Sequence, residues 1–197
     1  IKDGWNVVAV VSAMSKETNK LIDLAKKVGV ENLVDPEYDS LISTGEDVSS
    51  SLLAIALNSI DISSRSWRGW QLPIRTDSFH SNAKIEEIKT NQIINRFREG
   101  VKVAVVSGFQ GIEQAGRITT LGRGGSDTSA VAIAAAIDAE RCDIYTDVSG
   151  IYTTDPRIKK NASKLKKISF EEMLEMASLG ANVLQTRAVE LAMRYKI

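Results

Sequence analysis

The chain has 197 residues, of which 43% are hydrophobic and 25% charged, and its 25 Lys and Arg residues balance 25 Asp and Glu residues. This length suits one globular domain with a sizeable core, and the neutral charge excludes the basic surface of a nucleic-acid or anionic-membrane binder. A single cysteine, Cys142, and a single histidine, His80, exclude intramolecular disulfides and metal sites built from several cysteines or histidines.

The first hundred residues alternate strand patterns with helix patterns. Residues 6–12 form a β-branched run typical of a buried parallel strand, and residues 18–28 carry an apolar helical face that ends at Gly29. Thr44 begins a longer helix. Weaker strand patterns follow between residues 62 and 88, and residues 93–97 predict another helix that ends before Gly100.

The second half continues the alternation around a glycine-rich loop. Residues 101–106 predict a second buried strand, residues 126–139 a buried Ala-rich helix, residues 143–146 a third strand, and residues 169–179 and 186–195 two closing helices. The predicted loop holds six glycines: Gly108, Gly111, Gly116, Gly122, Gly124 and Gly125. Strands alternating with helices predict an α/β protein with a mostly parallel sheet, folded as one domain.

The glycine-rich stretch over residues 119–128 is the strongest functional signal. Glycines let the backbone approach a ligand closely, and the N–H groups that open the following helix favour an anion. Arg123 adds a guanidinium suited to a carboxylate or a phosphate. The alternative is a tight turn in which Ser126 or Asp127 caps the helix. The spacing matches neither a Walker A loop nor a dinucleotide-binding fingerprint.

A second polar stretch, residues 145–157, follows the third predicted strand. Open α/β sheets bind ligands at the carboxyl ends of their strands, so Asp147 and Asp155 are candidates for contacting a ribose or phosphate, and Arg157 for pairing with a polyphosphate. The alternative is plain turn chemistry, since Asp-Pro and Ser-Gly are common in turns.

Two shorter motifs sit where predicted elements meet. In Thr44-Gly45-Glu46-Asp47, Glu46 is a candidate ligand contact. The alternative is a capping box made by Thr44 and Asp47, in which the negative charge of Glu46 complements the helix dipole. Ser12 lies at the end of the first strand, at the expected crevice of the sheet. His80, in a polar loop, is expected at the surface.

In this order, the motifs resemble the catalytic domain of the aspartate kinases, in the amino acid kinase family, along essentially all of residues 1–197. The resemblance is carried by Val10-Val11-Ser12-Ala13-Met14, Thr44-Gly45-Glu46, Ser107-Gly108-Phe109-Gln110-Gly111, residues 119–128, residues 146–157 and residues 169–181. It implies a three-layer αβα sandwich with a mostly parallel central sheet. It also implies transfer of the ATP γ-phosphoryl group to the β-carboxylate of L-aspartate, which forms 4-phospho-L-aspartate on the route to lysine, threonine and methionine.

The resemblance further implies roles for individual residues. Glu46 would hold the substrate α-amino group and Arg123 its α-carboxylate, while Asp127 would orient a catalytic lysine. Ser12 and Thr18 would face the substrate and the phosphates, and the acceptor carboxylate would be framed by Gly124, Gly125 and Ser126. The implied nucleotide site comprises Tyr145, Thr146, Asp147, Ile151, Tyr152, Thr153, Thr154, Asp155, Pro156, Arg157 and Asn182.

The implied cofactor is ATP with Mg²⁺ bridging its phosphates, without a protein metal cage, and the implied partners are L-aspartate, ATP and further copies of the full-length chain. No apolar run reaches membrane-spanning length and no signal peptide is found, so a cytoplasmic location without membrane or nucleic-acid partners is expected.

Three departures from the family pattern lead us to expect a truncated kinase with little activity by itself. The family's opening Lys-Phe/Tyr-Gly-Gly-Thr-Ser motif and its regulatory ACT domains have no counterpart in the sequence, and Asn182 stands where the family usually has lysine. A glutamate, acetylglutamate or uridylate kinase, or a non-catalytic ligand-binding relative, remains an alternative. Glu46 together with Asp155-Pro156-Arg157 favours aspartate.

Overall fold

The computed structural model describes residues 4–29, 34–180 and 183–197, and helices and strands follow one another closely along them. In chain order they are β1 (Val7–Val11), α1 (Glu17–Lys27), α2 (Pro36–Ile42), α3 (Thr44–Asn58), β2 (Ser64–Trp67), β3 (Ile74–Thr76), β4 (Ile85–Ile88), α4 (Asn91–Arg98), β5 (Val103–Ser107), β6 (Gln110–Ile112), β7 (Ile118–Thr120), α5 (Gly125–Ala136), α6 (Phe170–Ser178) and α7 (Thr186–Tyr195). The two buried strands expected from the sequence are confirmed as β1 and β5. The six expected helices are confirmed as α1, α3, α4, α5, α6 and α7.

A parallel sheet with the strand order β1-β5-β2 forms the centre of the fold. Its side chains alternate between two apolar cores, as the pleat requires. Val105 of β5 packs with Ala54 of α3 on one face, whereas Val106 packs with Ile93 of α4 and Ile133 of α5 on the other. Helices therefore cover both faces, which confirms the three-layer αβα arrangement with a mostly parallel sheet.

The six predicted loop glycines do not form one loop, because part of the stretch is a hairpin. β6 and β7 pair antiparallel and join a second, mixed sheet of order β4-β3-β6-β7. Gly111 lies in β6, where a Cβ would come within 2.4 Å of the Thr76 side chain of β3. The glycine thus permits close strand packing there, and three-residue strands are too short to show a hydrophobic period.

Helix α2 was not expected from the sequence. The Asp35 side chain caps it by accepting from the backbone N–H groups of Glu37 and Tyr38, and Pro36 occupies its first position. At seven residues the helix is too short for a clear apolar period, so its capping residues were the usable signal.

The strand predicted at residues 143–146 is wrong. These residues form neither helix nor strand and belong to neither sheet, and Tyr145 is 94% exposed. A strand needs a hydrogen-bonding partner as well as β-branched and aromatic residues, and no strand of the described residues pairs with this segment. Within the described ranges, no helix is both long and apolar enough to cross a bilayer.

Candidate active site

Several elements meet at one end of the parallel sheet. The strands β1, β5 and β2 end there, and the helices α3 and α5 begin there. The Gly108 N–H, just beyond β5, donates to the Val11 carbonyl of β1 at 3.0 Å. A Cβ on Gly108 would come within 3.0 Å of the Ser126 Cα, so the first turn of α5 packs directly on the end of β5. Open α/β sheets bind ligands at this end, just beyond the carboxyl ends of their strands.

Glu46 is buried in the first turn of α3, with only 3% of its surface exposed. Its Oε1 accepts a 2.9 Å hydrogen bond from the Ala13 N–H, whereas its Oε2 has no hydrogen-bond partner among the described residues. Burial raises the pKa of Glu46 to about 7; the negative charge of Asp47 adds to the rise and the Ala13 N–H opposes it. The site thus contains a poorly solvated carboxylate with one unused acceptor atom.

The capping box suggested for Thr44 and Asp47 is wrong. Thr44 Oγ1 donates to the Leu41 carbonyl of the preceding helix. The Asp47 carboxylate accepts from Ser107 Oγ at 2.9 Å and from Gln110 Nε2 at 3.1 Å, and pairs with Arg68 Nε at 3.2 Å. These bonds fasten the first turn of α3, and hence Glu46, to the ends of the central strands.

Gln110 is a buried residue whose role in the site sequence reasoning missed. Its Nε2 also donates to the Ser43 carbonyl at 3.2 Å, and its Oε1 accepts from the Gly69 N–H at 3.1 Å. It is 1% exposed, and its amide joins β6, the start of α3 and the turn after β2. The usable signal was a polar amide within the otherwise apolar stretch Gly108-Phe109-Gln110-Gly111-Ile112. A buried amide needs hydrogen-bond partners of this kind.

The loop between β7 and α5 carries Arg123. Gly122 and Gly124 have φ angles of 75° and 67°, the left-handed region that glycine adopts readily. Gly124, rather than Ser126 or Asp127, occupies the N-cap of α5, so the capping alternative for those side chains is wrong. Arg123 is exposed, and within the described part of the chain it has no ion pair. Its guanidinium remains open to an anionic ligand.

Asp39 holds the strand that leads into this loop. Its fully buried carboxylate accepts from the Thr120 N–H at 2.9 Å, from Thr120 Oγ1 at 2.7 Å and from the Ser81 N–H at 2.9 Å. His80 Nδ1 lies 2.9 Å from the same carboxylate, and the His80 side chain is only 12% exposed. The expectation of a surface histidine is therefore wrong, because the turn carrying His80 folds against α2.

Several of the remaining candidate residues share one groove beside β1. Ser12, Ser126, Asp127 and Tyr145 all line this space, whose volume is about 1140 Å³. Partial burial raises the pKa of Asp127 above its ordinary value. The structure thus brings Ser12 and Asp127, the two residues predicted to act nearest the chemistry, together with one predicted substrate contact and one predicted nucleotide contact. Thr18 lies apart from that lining, in the first turn of α1, where it is partly buried.

Apart from Asn182, the rest of the predicted nucleotide set lies in residues 146–157. Thr153 and Thr154 line a separate pocket of about 340 Å³ with Lys159 and Asn161. Asp155 pairs with Arg157, whose Nη2 lies 2.8 Å from its carboxylate, and these hydrogen bonds lower the pKa of Asp155. Thr146 donates to Asp147, and Ile151 and Tyr152 pair with the segment around Lys164. Pro156 is exposed, and Asn182 lies outside the described residues.

Comparisons with known proteins agree on one family. The sequence model of the Amino acid kinase family matches residues 1–197. The aspartokinase of Bacillus sp. (strain MGA3) is 55% identical over 196 residues, which are 100% of this chain and 47% of that protein. The crystal structure of aspartate kinase from Synechocystis is 48% identical with a TM-score of 0.85, over 100% of this chain and 32% of that one.

A further solved structure contains two ligands. E. coli aspartokinase III in complex with aspartate and ADP (R-state) is 36% identical with a TM-score of 0.77, over 90% of this chain and 40% of that one. The chain spans about half the length of the curated relatives it matches.

Proposed function

This chain belongs to the amino acid kinase family, and from that premise we propose that it provides the substrate site of an enzyme that phosphorylates L-aspartate. The reaction transfers the γ-phosphoryl group of ATP to the β-carboxylate and forms 4-phospho-L-aspartate. Support comes from the aspartokinases that are more than 50% identical over nearly the whole chain, and from the chemistry of Glu46.

Glu46 is the observation that carries the proposal. A buried carboxylate is costly to keep ionised when its pKa is about 7 and its Oε2 has no hydrogen-bond donor among the described residues. A ligand ammonium group supplies both the missing donor and the opposite charge. The α-amino group of aspartate is such a group, and the exposed Arg123 guanidinium suits its α-carboxylate by a paired hydrogen-bond geometry.

The chemistry needs positioning more than covalent assistance. Phosphoryl transfer depends on alignment and on neutralising charge, and a carboxylate acceptor requires no general base. Side chains of Gln185, Phe109 and Leu121 pack directly against Gly124 and Gly125, so only glycine fits at the start of α5. The N-terminus of this helix favours negative charge. In the proposal the acceptor carboxylate lies there, framed by Gly124, Gly125 and Ser126.

ATP and Mg²⁺ belong to the same proposal. Within the described residues, no group of three or more His, Cys, Asp or Glu side chains is arranged to hold a metal ion. Mg²⁺ commonly binds through one or two carboxylates, substrate phosphates and water, so we expect it to enter with the nucleotide. The nucleotide contacts in residues 145–157, a cytoplasmic location, self-association of the full-length protein and a role in lysine, threonine and methionine synthesis also remain proposals.

A binding experiment on the full-length gene product tests the role of Glu46. Calorimetry at pH 8 compares L-aspartate with succinate, which has both carboxylates but no amino group. Glu46→Gln is expected to raise the Kd for L-aspartate at least about tenfold and to change the Kd for succinate less than about twofold, because only the ammonium loses its ionised partner. Glu99→Gln, an exposed glutamate paired with Arg96, is the matched control and leaves both values unchanged.

The affinity is also expected to depend on pH. Because ionised Glu46 binds the ammonium and its pKa is about 7, the Kd for L-aspartate rises towards tenfold per pH unit below that value. Equal losses for aspartate and succinate in Glu46→Gln, or a pH-independent Kd, would contradict the assigned role.

A second assay identifies the acceptor. ADP formation from MgATP is measured with L-aspartate, L-glutamate, N-acetyl-L-glutamate and UMP in turn. Aspartate is the expected acceptor, and preference for another compound assigns the chain to that branch of the family. Tight aspartate binding without ADP formation in the full-length gene product favours a non-catalytic relative.

A further inference from the structure

The loop that carries Arg123 is packed on both sides of the arginine. A Cβ on Gly122 would lie 2.9 Å from Asn82 Oδ1, and a Cβ on Gly124 would overlap the Gln185 side chain. Gly122 therefore packs on the turn before β4, and Gly124 packs on the N-cap residue of α7. Arg123 lies between these two contacts with its own side chain exposed.

Arg187, in the first turn of α7, joins the two segments that border this loop. Its Nη1 donates to the Leu121 carbonyl at 3.2 Å and to the Ala83 carbonyl at 3.4 Å. Leu121 and Ala83 are both almost fully buried. The Ala83 N–H also donates to the Thr120 carbonyl at 2.9 Å, so the Arg187 guanidinium extends a hydrogen-bonded contact between the two segments.

Arg187 acts on the main chain of these segments and not on an acidic side chain. In the ranges that the structure describes, no carboxylate lies within ion-pair distance of its guanidinium. A guanidinium presents several N–H donors in one rigid plane, so a single group can hold two carbonyl oxygens in a fixed relation. A buried carbonyl that loses such a donor costs free energy, which favours the observed loop position.

The helix that carries Arg187 is itself anchored. Ala188 and Val189 are buried, and α7 packs along α5. α5 begins at Gly125, where the Arg123 loop ends. One helix therefore contacts the start of the loop, its end and the helix that follows it.

We propose that Arg187 is a positioning residue for Arg123. By holding the Leu121 and Ala83 carbonyls it fixes the loop so that the Arg123 guanidinium meets the α-carboxylate of the substrate. This role rests on the proposed function, in which L-aspartate binds between Glu46 and Arg123. A loop that is ordered beforehand loses less conformational entropy on binding, so Arg187 contributes to affinity without touching the substrate.

Two ligands that differ at one group separate this role from a general structural one. L-Aspartate has the α-carboxylate, whereas β-alanine keeps the ammonium group and the acceptor carboxylate without it. In the full-length gene product, Arg187→Met is expected to raise the Kd for L-aspartate about fivefold and the Kd for β-alanine less than about twofold. Calorimetry measures the first Kd and NMR titration the second. Arg194→Met, an exposed position on the same helix, is the matched control and leaves both values unchanged.

A double-mutant cycle shows whether Arg187 acts through Arg123. In an Arg123→Met background, Arg187→Met is expected to change the Kd for L-aspartate by less than about twofold, because the contact that it supports is already lost. Arg187→Lys keeps the apolar stem and the charge but can hold only one carbonyl well. It is expected to raise the Kd for L-aspartate about twofold to threefold and to leave β-alanine unaffected. This milder variant provides the test if Arg187→Met does not fold.

The outcomes distinguish a failure of this role from a failure of the proposed function. Equal losses for both ligands, or additive effects in the cycle, would overturn the positioning role and leave Arg187 as a structural contact. The role is also overturned, with the proposed function intact, if Arg123→Met weakens L-aspartate binding and Arg187→Met does not. An unchanged Kd for L-aspartate in Arg123→Met would instead contradict the proposed function.

Discussion

At the scale of single residues, Glu46 illustrates how a buried carboxylate can lower stability. Its carboxylate is almost fully buried and its pKa is about 7, whereas an unfolded glutamate has a value of 4.5. Between these two pH values the folded chain keeps a proton that the unfolded chain has released. The folded state is therefore stabilised less and less as the pH rises through this window, with an upper bound of about 3 kcal/mol for the loss.

Replacing Glu46 by glutamine is expected to reveal this cost. Glu46→Gln cannot ionise but has nearly the same shape, so at pH 8 it raises the free energy of unfolding by about 1–3 kcal/mol. At pH 5 the native Glu46 is protonated but most of the unfolded glutamate is ionised, so the difference falls to about 0.8 kcal/mol or less. Urea denaturation at both pH values provides the measurement. A difference that is the same at pH 5 and pH 8 would contradict the assigned pKa.

Asp39 differs from Glu46, because both oxygens of its buried carboxylate accept hydrogen bonds. Asp39→Asn retains the shape but places an amide N–H₂ where the Thr120 and Ser81 N–H groups point. We expect a loss of about 2–4 kcal/mol in unfolding free energy. Glu37→Gln, an exposed change on the same helix, is the control and stays within about 0.5 kcal/mol. Equal stability of the two variants in thermal or urea denaturation would show that this network is not structural.

At the scale of elements, the approach of α3 to the loop after β1 decides where Glu46 lies. A Cβ on Gly45 would come within 2.8 Å of the Ala13 Cβ, and the Ala13 N–H bonds Glu46. Only a residue without a side chain permits this contact. The glycine of the Thr44-Gly45-Glu46 motif therefore has a packing role beside the proposed binding role of its neighbour.

This contact can be tested by a rescue experiment. Gly45→Ala is expected to destabilise the fold by about 1–3 kcal/mol and to weaken L-aspartate binding, because α3 must move away from the loop. Ala13→Gly removes the clashing methyl group, so the double variant Ala13→Gly/Gly45→Ala recovers most of the loss. A double-mutant cycle in unfolding free energy measures the coupling. Additive effects of the two changes would show that the two Cβ positions do not meet.

Elements were predictable in proportion to their length and pattern. The apolar runs of β1 and β5 and the amphipathic face of α4 are long enough for periodicity to identify them. α2, β6 and β7 have between three and seven residues, and their form depends on partners that are distant in sequence. Residues 143–146 have strand-forming side chains but no strand to pair with.

At the scale of the whole molecule, the helical layers leave the sheet uncovered along one edge. The ends of the strands nevertheless bring Ser12, Glu46 and Ser126 to the same side of the sheet. A parallel sheet enclosed by helices is stable when all its strands are covered. The candidate site is thus assembled at one border of the sheet, next to the open edge of β1.

The 197 residues by themselves are expected to give little aspartate-dependent ADP formation. The family's Lys-Phe/Tyr-Gly-Gly-Thr-Ser motif, to which a phosphoryl-contacting lysine belongs by resemblance, is not in this sequence. Its loss leaves the transferring group without that positive charge, and removing such a contact typically lowers the rate by orders of magnitude. ADP release measured beside full-length aspartokinases is the check, and a comparable rate would contradict this expectation.

The sequence alone determined the family resemblance, the alternation of strands and helices and the positions of Glu46 and Arg123, because motifs and long periodic runs are local properties. Tertiary structure decided which of these residues meet. It buried Glu46 with no donor for its Oε2 in the described part of the chain. It bonded Asp47 to Ser107, Gln110 and Arg68, and paired Arg157 with Asp155. Burial, pKa and strand pairing depend on atoms that are distant along the chain, so a one-dimensional pattern does not contain them.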